Sequence, residues 1–161
     1  PIELTQPFPM EYVKWHKSLV EYFSTRSDCI FIWKGLFLPN QKFDMMQNVI
    51  EDLNYKNIHY HSHKLDYWLS RVDKVICDTP STAFFQSVFS RLPTMSLYRP
   101  NDQKLQKNVL SVFGTSLCPY SSVDEGLKHV EKFLDGSPSS YLVELPKSQV
   151  SISDVLLKEN S

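Results

Sequence analysis

The stretch Val72-Asp73-Lys74-Val75-Ile76-Cys77-Asp78-Thr79-Pro80-Ser81-Thr82-Ala83-Phe84-Phe85-Gln86 decides the fold class. Val75, Ile76 and Cys77 form a compact apolar run that suits a short strand covered on both faces. Asp78 to Thr82 bring turn formers and hydroxyls, and Pro80 marks the break. Ser81 or Thr82 is placed to cap a helix that carries Phe84, Phe85, Val88 and Phe89, with the aromatic residues expected in the core. A strand that feeds a helix through such a turn aims unpaired N–H groups and the positive end of the helix dipole at one point. That point is a natural seat for a phosphate. The competing use of the same residues is an ordinary capped turn, in which a hydroxyl only satisfies the helix's own first N–H groups.

Toward the N-terminus, Pro1, Pro7 and Pro9 suggest an extended entry over residues 1–9. Tyr12, Trp15, Leu19, Tyr22 and Phe23 then recur at helical spacing between Met10 and Phe23. Cys29 to Trp33 reads as a buried strand ending at Lys34-Gly35, and Phe43 to Leu53 as a helix with Phe43, Met46, Val49, Ile50 and Leu53 inward. Asn57 to His61 is a further strand, and Leu65 to Val72 a further helix. On the C-terminal side, Pro93 to Tyr98 and Ser116 to Tyr120 read as strands, and Leu105 to Phe113 as a helix. Val123 to Leu134 is a helix with Val123, Leu127, Val130, Phe133 and Leu134 on one face and Asp124 and Glu125 near its start. About five strands thus alternate with about six helices, which predicts an α/β domain over residues 1–135: a Rossmann-like, doubly wound parallel sheet with helices on both faces. Ligands of such sheets bind beyond the carboxyl ends of the strands. Residues 136–161 read as a linker followed by a polar tail with a weak helix over 153–158.

The 161 residues are 42% hydrophobic and 22% charged, a composition of globular rather than disordered chains. A formal net charge of −1 gives no bulk attraction to nucleic acid or to a membrane surface, so an anion has to be recognised locally. No run approaches the length of a membrane-spanning helix, and the start has no leader-like pattern. The absence of an initiator Met suggests a fragment or a processed product. Cys29, Cys77 and Cys118 are widely separated and read as reduced core residues in a cytoplasmic protein. Gly35, Gly114, Gly126 and Gly136 are too sparse for a dinucleotide-binding or P-loop glycine motif, and no G-x-S-x-G elbow occurs.

Four constellations carry candidate chemistry. The Asp78–Thr82 turn offers a diphosphate seat. Lys34, at a strand end, reaches the same edge if one parallel sheet contains both strands. His59, His61 and His63 share a face if their strand runs through His63, which admits contacts to a base or substrate, a zinc site, or purely structural roles. Arg99 follows a strand and is placed to clamp a phosphate, with Asp102 for a sugar hydroxyl; a solvated turn is the equal alternative.

The segments Lys64-Leu65-Asp66-Tyr67-Trp68-Leu69-Ser70, Asp78-Thr79-Pro80-Ser81-Thr82 and Arg91-Leu92-Pro93-Thr94 together resemble the C-terminal, nucleotide-sugar-binding half of GT-B-type glycosyltransferases. Bacterial surface-polysaccharide enzymes and CDP-glycerol glycerophosphotransferases are the nearest in pattern. Ile32-Trp33-Lys34-Gly35 is similar to the Lys-containing strand end of such enzymes, and the likeness covers about residues 28 to 135. It implies that Ser81 and Thr82 take the donor diphosphate, assisted by Lys34; Arg99 joins them only through its place after a strand. It further implies a place near the base for His61 and His63 and near the ribose for Gln86; Asp78 and Asp102 are expected to contact the base or sugar from their positions at strand ends. Two departures stand out: Gln86 occupies the place of a ribose-binding Glu, and Leu36-Phe37-Leu38-Pro39 replaces a His-Pro pair.

The resemblance implies a cytoplasmic, metal-independent transferase with no cofactor beyond its nucleotide-sugar substrate. It also implies an acceptor-binding N-terminal half as partner, little turnover without that half, and peripheral membrane association of the longer protein. A nucleotide-sugar 2-epimerase half and a degenerate, non-catalytic interaction domain are the alternatives.

Overall fold

The structure, a computed structural model, describes residues 9–35 and 44–143. The entry over residues 1–8, the Leu36-Phe37-Leu38-Pro39 departure, Phe43, the tail beyond residue 143 with its expected helix, and the side chain of Tyr12 all lie outside the described residues. The chain divides into two compact units, one ending at Arg71 and the other starting at Val72.

The first unit contains α1 (Pro9–Ser24), β1 (Phe31–Lys34), α2 (Met45–Leu53), β2 (Ile58–His61) and α3 (Leu65–Leu69). The second contains β3 (Val75–Cys77), α4 (Thr82–Phe89), β4 (Thr94–Tyr98), α5 (Lys107–Phe113), β5 (Leu117–Pro119) and α6 (Val123–Asp135), then a 3-10 turn at Pro138–Tyr141. Strands and helices alternate as expected, and every strand pairing is parallel. The five strands form two sheets, β1-β2 and β3-β4-β5, rather than one. Lys34 and Ser81 therefore follow strands of different sheets, which corrects the shared edge expected for them. Asp73 and Lys74 end the apolar run ahead of β3, which keeps that strand to three residues paired only with β4.

β3 is an edge strand, and only Cys77 of its three residues is buried; Val75 and Ile76 are half-buried. The strand covered on both faces is β4, the middle one, buried from Thr94 to Leu97. Its two buried hydroxyls find acceptors: Thr94 Oγ1 donates to the Leu92 carbonyl at 2.9 Å, and Ser96 Oγ reaches the Leu97 carbonyl at 3.5 Å. Against this sheet Phe84, Phe85 and Phe113 pack edge-on, with centroids 5.3 to 5.8 Å apart, alongside Cys77, Val88, Val109 and Leu117. Burial pushes the Cys77 thiol up to about 12 and Cys118 to about 11, so both stay protonated and unreactive.

α6 is tied at both ends. Ser122 Oγ accepts from the Glu125 N–H at 3.2 Å, and the Glu125 carboxylate accepts from the Ser121 N–H at 2.8 Å, a reciprocal cap. At the other end, Lys74 Nζ donates to the carbonyls of Phe133, Leu134 and Gly136 at 2.9, 2.7 and 3.1 Å. Within the expected linker, the Pro138–Tyr141 turn buries Tyr141 edge-on against Phe133, with centroids 4.7 Å apart.

In the first unit, Trp15, His16, Leu19, Val20 and Phe23 make the buried stripe of α1, and Phe23 stacks on Phe31 at 4.1 Å. The Asn57 amide donates to the carbonyls of Phe23 and Arg26, both at 2.9 Å, and so satisfies the C-terminal end of α1 just before β2 begins. Asp44 caps α2, and Asn54 closes it in a left-handed conformation (φ 48°). Gly35 leaves room where β1 ends: a Cβ there would overlap Tyr60 Oη and lie 2.7 Å from Asp44 Oδ2, so those side chains would have to shift.

Candidate functional site

The carboxyl ends of β3, β4 and β5 bring a set of polar groups together within the second unit. After β3, the Asp78-Thr79-Pro80-Ser81 turn is pinched by the Ser81 N–H donating to the Thr79 carbonyl at 2.8 Å. Ser81 is the N-cap residue of α4, in extended conformation, yet its side chain makes no capping hydrogen bond. The ordinary capped turn is therefore not what its hydroxyl provides. The first N–H groups of α4, which have no intrahelical acceptor, are left without that cap. Thr82 and Gln86 are exposed on the same helix, Thr82 at its first residue and Gln86 a little over one turn further on.

After β4, the N–H groups of Asp102 and Gln103 both donate to the Arg99 carbonyl, at 3.0 and 2.9 Å, and fold residues 99–103 into a tight turn. Arg99 Nη1 lies 3.6 Å from Asp102 Oδ2, and its guanidinium carbon sits 5.6 Å from the centroid of the Tyr120 ring. Tyr120, directly after β5, is buried and tied by its N–H to the Tyr98 carbonyl at 3.0 Å. Burial holds the Tyr120 phenol above its ordinary value; Arg99 opposes that shift, and the Asp78 and Asp102 carboxylates reinforce it. A side-chain bridge joins the two loops: Gln103 Nε2 donates to Thr79 Oγ1 at 2.6 Å.

Asp78, Ser81, Thr82, Gln86, Arg99 and Asp102 all belong to this unit. Lys34, His61 and His63 belong to the other. There, Lys34 Nζ donates to the Gly35 carbonyl at 2.6 Å. β2 stops at His61, so the expected common face for His59, His61 and His63 does not form. Instead His61 packs on Trp68 at 4.8 Å, and His63 stacks on Tyr67 at 5.0 Å, with the Arg71 guanidinium carbon 4.0 Å from the centroid of the same Tyr67 ring. No group of three His, Cys, Asp or Glu among the described residues is arranged to hold a metal ion, and no helix among them is long and apolar enough to cross a membrane. A cleft of ≈ 390 Å³ lies in this first unit, lined by Ile50, Glu51, Asn54 and Tyr55 with Lys56 and the strand from Ile58 to His61.

Thr79 was included in the candidate turn without a role of its own, and Gln103 and Tyr120 were not singled out by the sequence. Tyr120 had a partial signal, since it closes the last expected strand, and β5 in fact ends one residue before it. Gln103 had none: a glutamine in a polar loop looks the same whether or not it bridges to another turn.

The uncapped Ser81 makes a discriminating prediction. Ser81→Ala is expected to leave the unfolding free energy within about 0.3 kcal/mol of wild type, whereas Ser122→Ala, which removes a real cap, costs about 1 kcal/mol. Urea midpoints of the two variants check this. An equal loss in both would return Ser81 to the role of a plain cap.

Comparison with family models, curated proteins and solved structures gives no match for this chain.

Proposed function

We propose that the unit beginning at Val72 binds the diphosphate of a nucleotide sugar, as the Rossmann-like donor-binding half of a GT-B-type glycosyltransferase in surface-polysaccharide assembly. The observation that carries this reading is the α4 N-terminus, whose Ser81 hydroxyl is not spent on capping, linked by one side-chain bridge to the loop that holds Arg99. Backbone N–H groups, the positive end of the helix dipole and a guanidinium suit two phosphate groups. The same groups would stabilise the negative charge that grows on the diphosphate as the sugar leaves, with no metal required. Asp102, Asp78 and Gln86 are left for hydroxyls of the sugar or ribose. The acceptor site and the catalytic base belong, in this reading, to a separate N-terminal half on the cytoplasmic side. Lys34, His61 and His63 lie in the first unit and are not assigned to this site.

Isothermal calorimetry of the 161-residue chain with UDP, CDP and GDP tests the proposal. At least one nucleotide is expected to bind wild type, and binding is expected to be lost in the Ser81→Ala/Thr82→Ala double variant. Failure of all three with wild type, or full retention in the double variant, overturns it.

A non-catalytic interaction domain is the second reading. It is favoured by the Arg99–Asp102 pair, which already neutralises the cation, and by Gln86 in place of a carboxylate. It predicts no rise in melting temperature with any nucleotide, because nothing then binds the folded state in preference to the unfolded one.

A further inference from the structure

Gln103 makes two hydrogen bonds that together span the candidate site. Its backbone N–H donates to the Arg99 carbonyl at 2.9 Å, and its side-chain Nε2 donates to Thr79 Oγ1 at 2.6 Å, across 24 positions of sequence. Thr79 in turn accepts, through its carbonyl, the Ser81 N–H that shapes the start of α4 at 2.8 Å. One side chain therefore connects the residue carrying the guanidinium to the turn that presents the helix N–H groups. Its amide oxygen is buried with no hydrogen-bond partner among the described residues.

We infer that Gln103 is a positioning residue: by holding Thr79, it sets the spacing between Arg99 and the α4 N-terminus at which both engage one diphosphate. The inference rests on the anion-binding reading of this edge, and it goes beyond that reading in assigning the geometry to a residue that touches no ligand. The physical reason is preorganisation. Two loops that move independently have to be ordered by the ligand itself, which lowers affinity, whereas loops already bridged bind without that loss.

The test uses the 161-residue chain and inorganic pyrophosphate as the probe, with affinity from calorimetry and melting temperature measured without ligand. Gln103→Met keeps the side-chain length and removes the bridge, and Thr79→Val removes it from the other side. Thr79→Ser keeps the hydroxyl and serves as the conservative control. Each of the first two is expected to weaken pyrophosphate binding about fivefold, the worth of one hydrogen bond. The double variant is expected to lose no more than either single, because both remove the same bridge. Thr79→Ser is expected to bind like wild type. Unchanged affinity in Gln103→Met, or losses that multiply in the double variant, overturns the positioning role while leaving the anion site standing. A lowered melting temperature with unchanged affinity assigns the bridge to stability alone and overturns the inference as well. If wild type binds no pyrophosphate, the anion-binding reading itself falls and the positioning role falls with it.

Discussion

Replacement of Lys74 by Met is expected to destabilise the chain by about 2–3 kcal/mol, seen as a fall in the urea midpoint with little change in slope. The Lys74 ammonium is half-buried and donates to three carbonyls where α6 ends, those of Phe133, Leu134 and Gly136. These are among the acceptors that a helix leaves unsatisfied at its C-terminus, where the dipole also favours a cation. Methionine keeps an apolar stem near the Phe133 ring, over which the ammonium sits at 5.5 Å, so the loss reports the hydrogen bonds and the charge rather than a cavity. The effect is large because the clamp is non-local: it ties the residue just before β3 to one 59 positions later. A loss below about 0.5 kcal/mol, the level of ordinary surface substitutions, would mean that water replaces Lys74 without penalty.

The second large effect is on binding. Arg99→Met is expected to weaken nucleoside diphosphate affinity roughly 10- to 100-fold, the range for losing a charge-assisted hydrogen bond to a phosphate. Asp102→Asn separates two roles for its carboxylate. Asp102 lies 3.6 Å from the guanidinium, so the amide removes a competing anion and is expected to tighten pyrophosphate binding. If the carboxylate also accepts a sugar hydroxyl, the same variant weakens a nucleotide sugar relative to pyrophosphate. Calorimetry at two salt concentrations checks both, since an electrostatic gain shrinks as ionic strength rises. Unaltered affinity in Arg99→Met would remove the guanidinium from the site.

The two predictions differ in how far they were legible beforehand. Arg99 stood out because it follows an apolar run that had to be a strand, and ligand groups gather at strand ends. Lys74 did not stand out. A lysine between Asp73 and Val75 looks like a solvated turn, and its three acceptors lie about sixty residues away, a pairing that only chain folding creates. The α1 stripe shows the same division. Trp15, Leu19 and Phe23 were recognisable by helical spacing, but His16 and Val20 complete the buried face, and His16 is buried edge-on to Trp33 at 5.3 Å. A polar residue type hides such a position from any reading based on hydrophobicity.

The Asp78–Thr82 turn shows most clearly what each level of description decides. Local chemistry placed it between a short apolar strand and an aromatic helix, with Ser81 at the helix start, because apolar runs, Pro80 and hydroxyls constrain only their immediate neighbours. The same local rules set the alternation of β1 to β5 with α1 to α6 and, through that alternation, the parallel direction of the strands. Tertiary structure alone decided that β3 is a half-buried edge strand, that Lys34 ends a strand of a different sheet, and that Ser81 leaves its hydroxyl out of the cap. It also decided that Gln103 reaches Thr79. Within the second unit those outcomes depend on which strand ends meet, and Phe84, Phe85 and Phe113 pack there with Cys77 of β3 and Leu117 of β5, an arrangement that no residue's own preference sets.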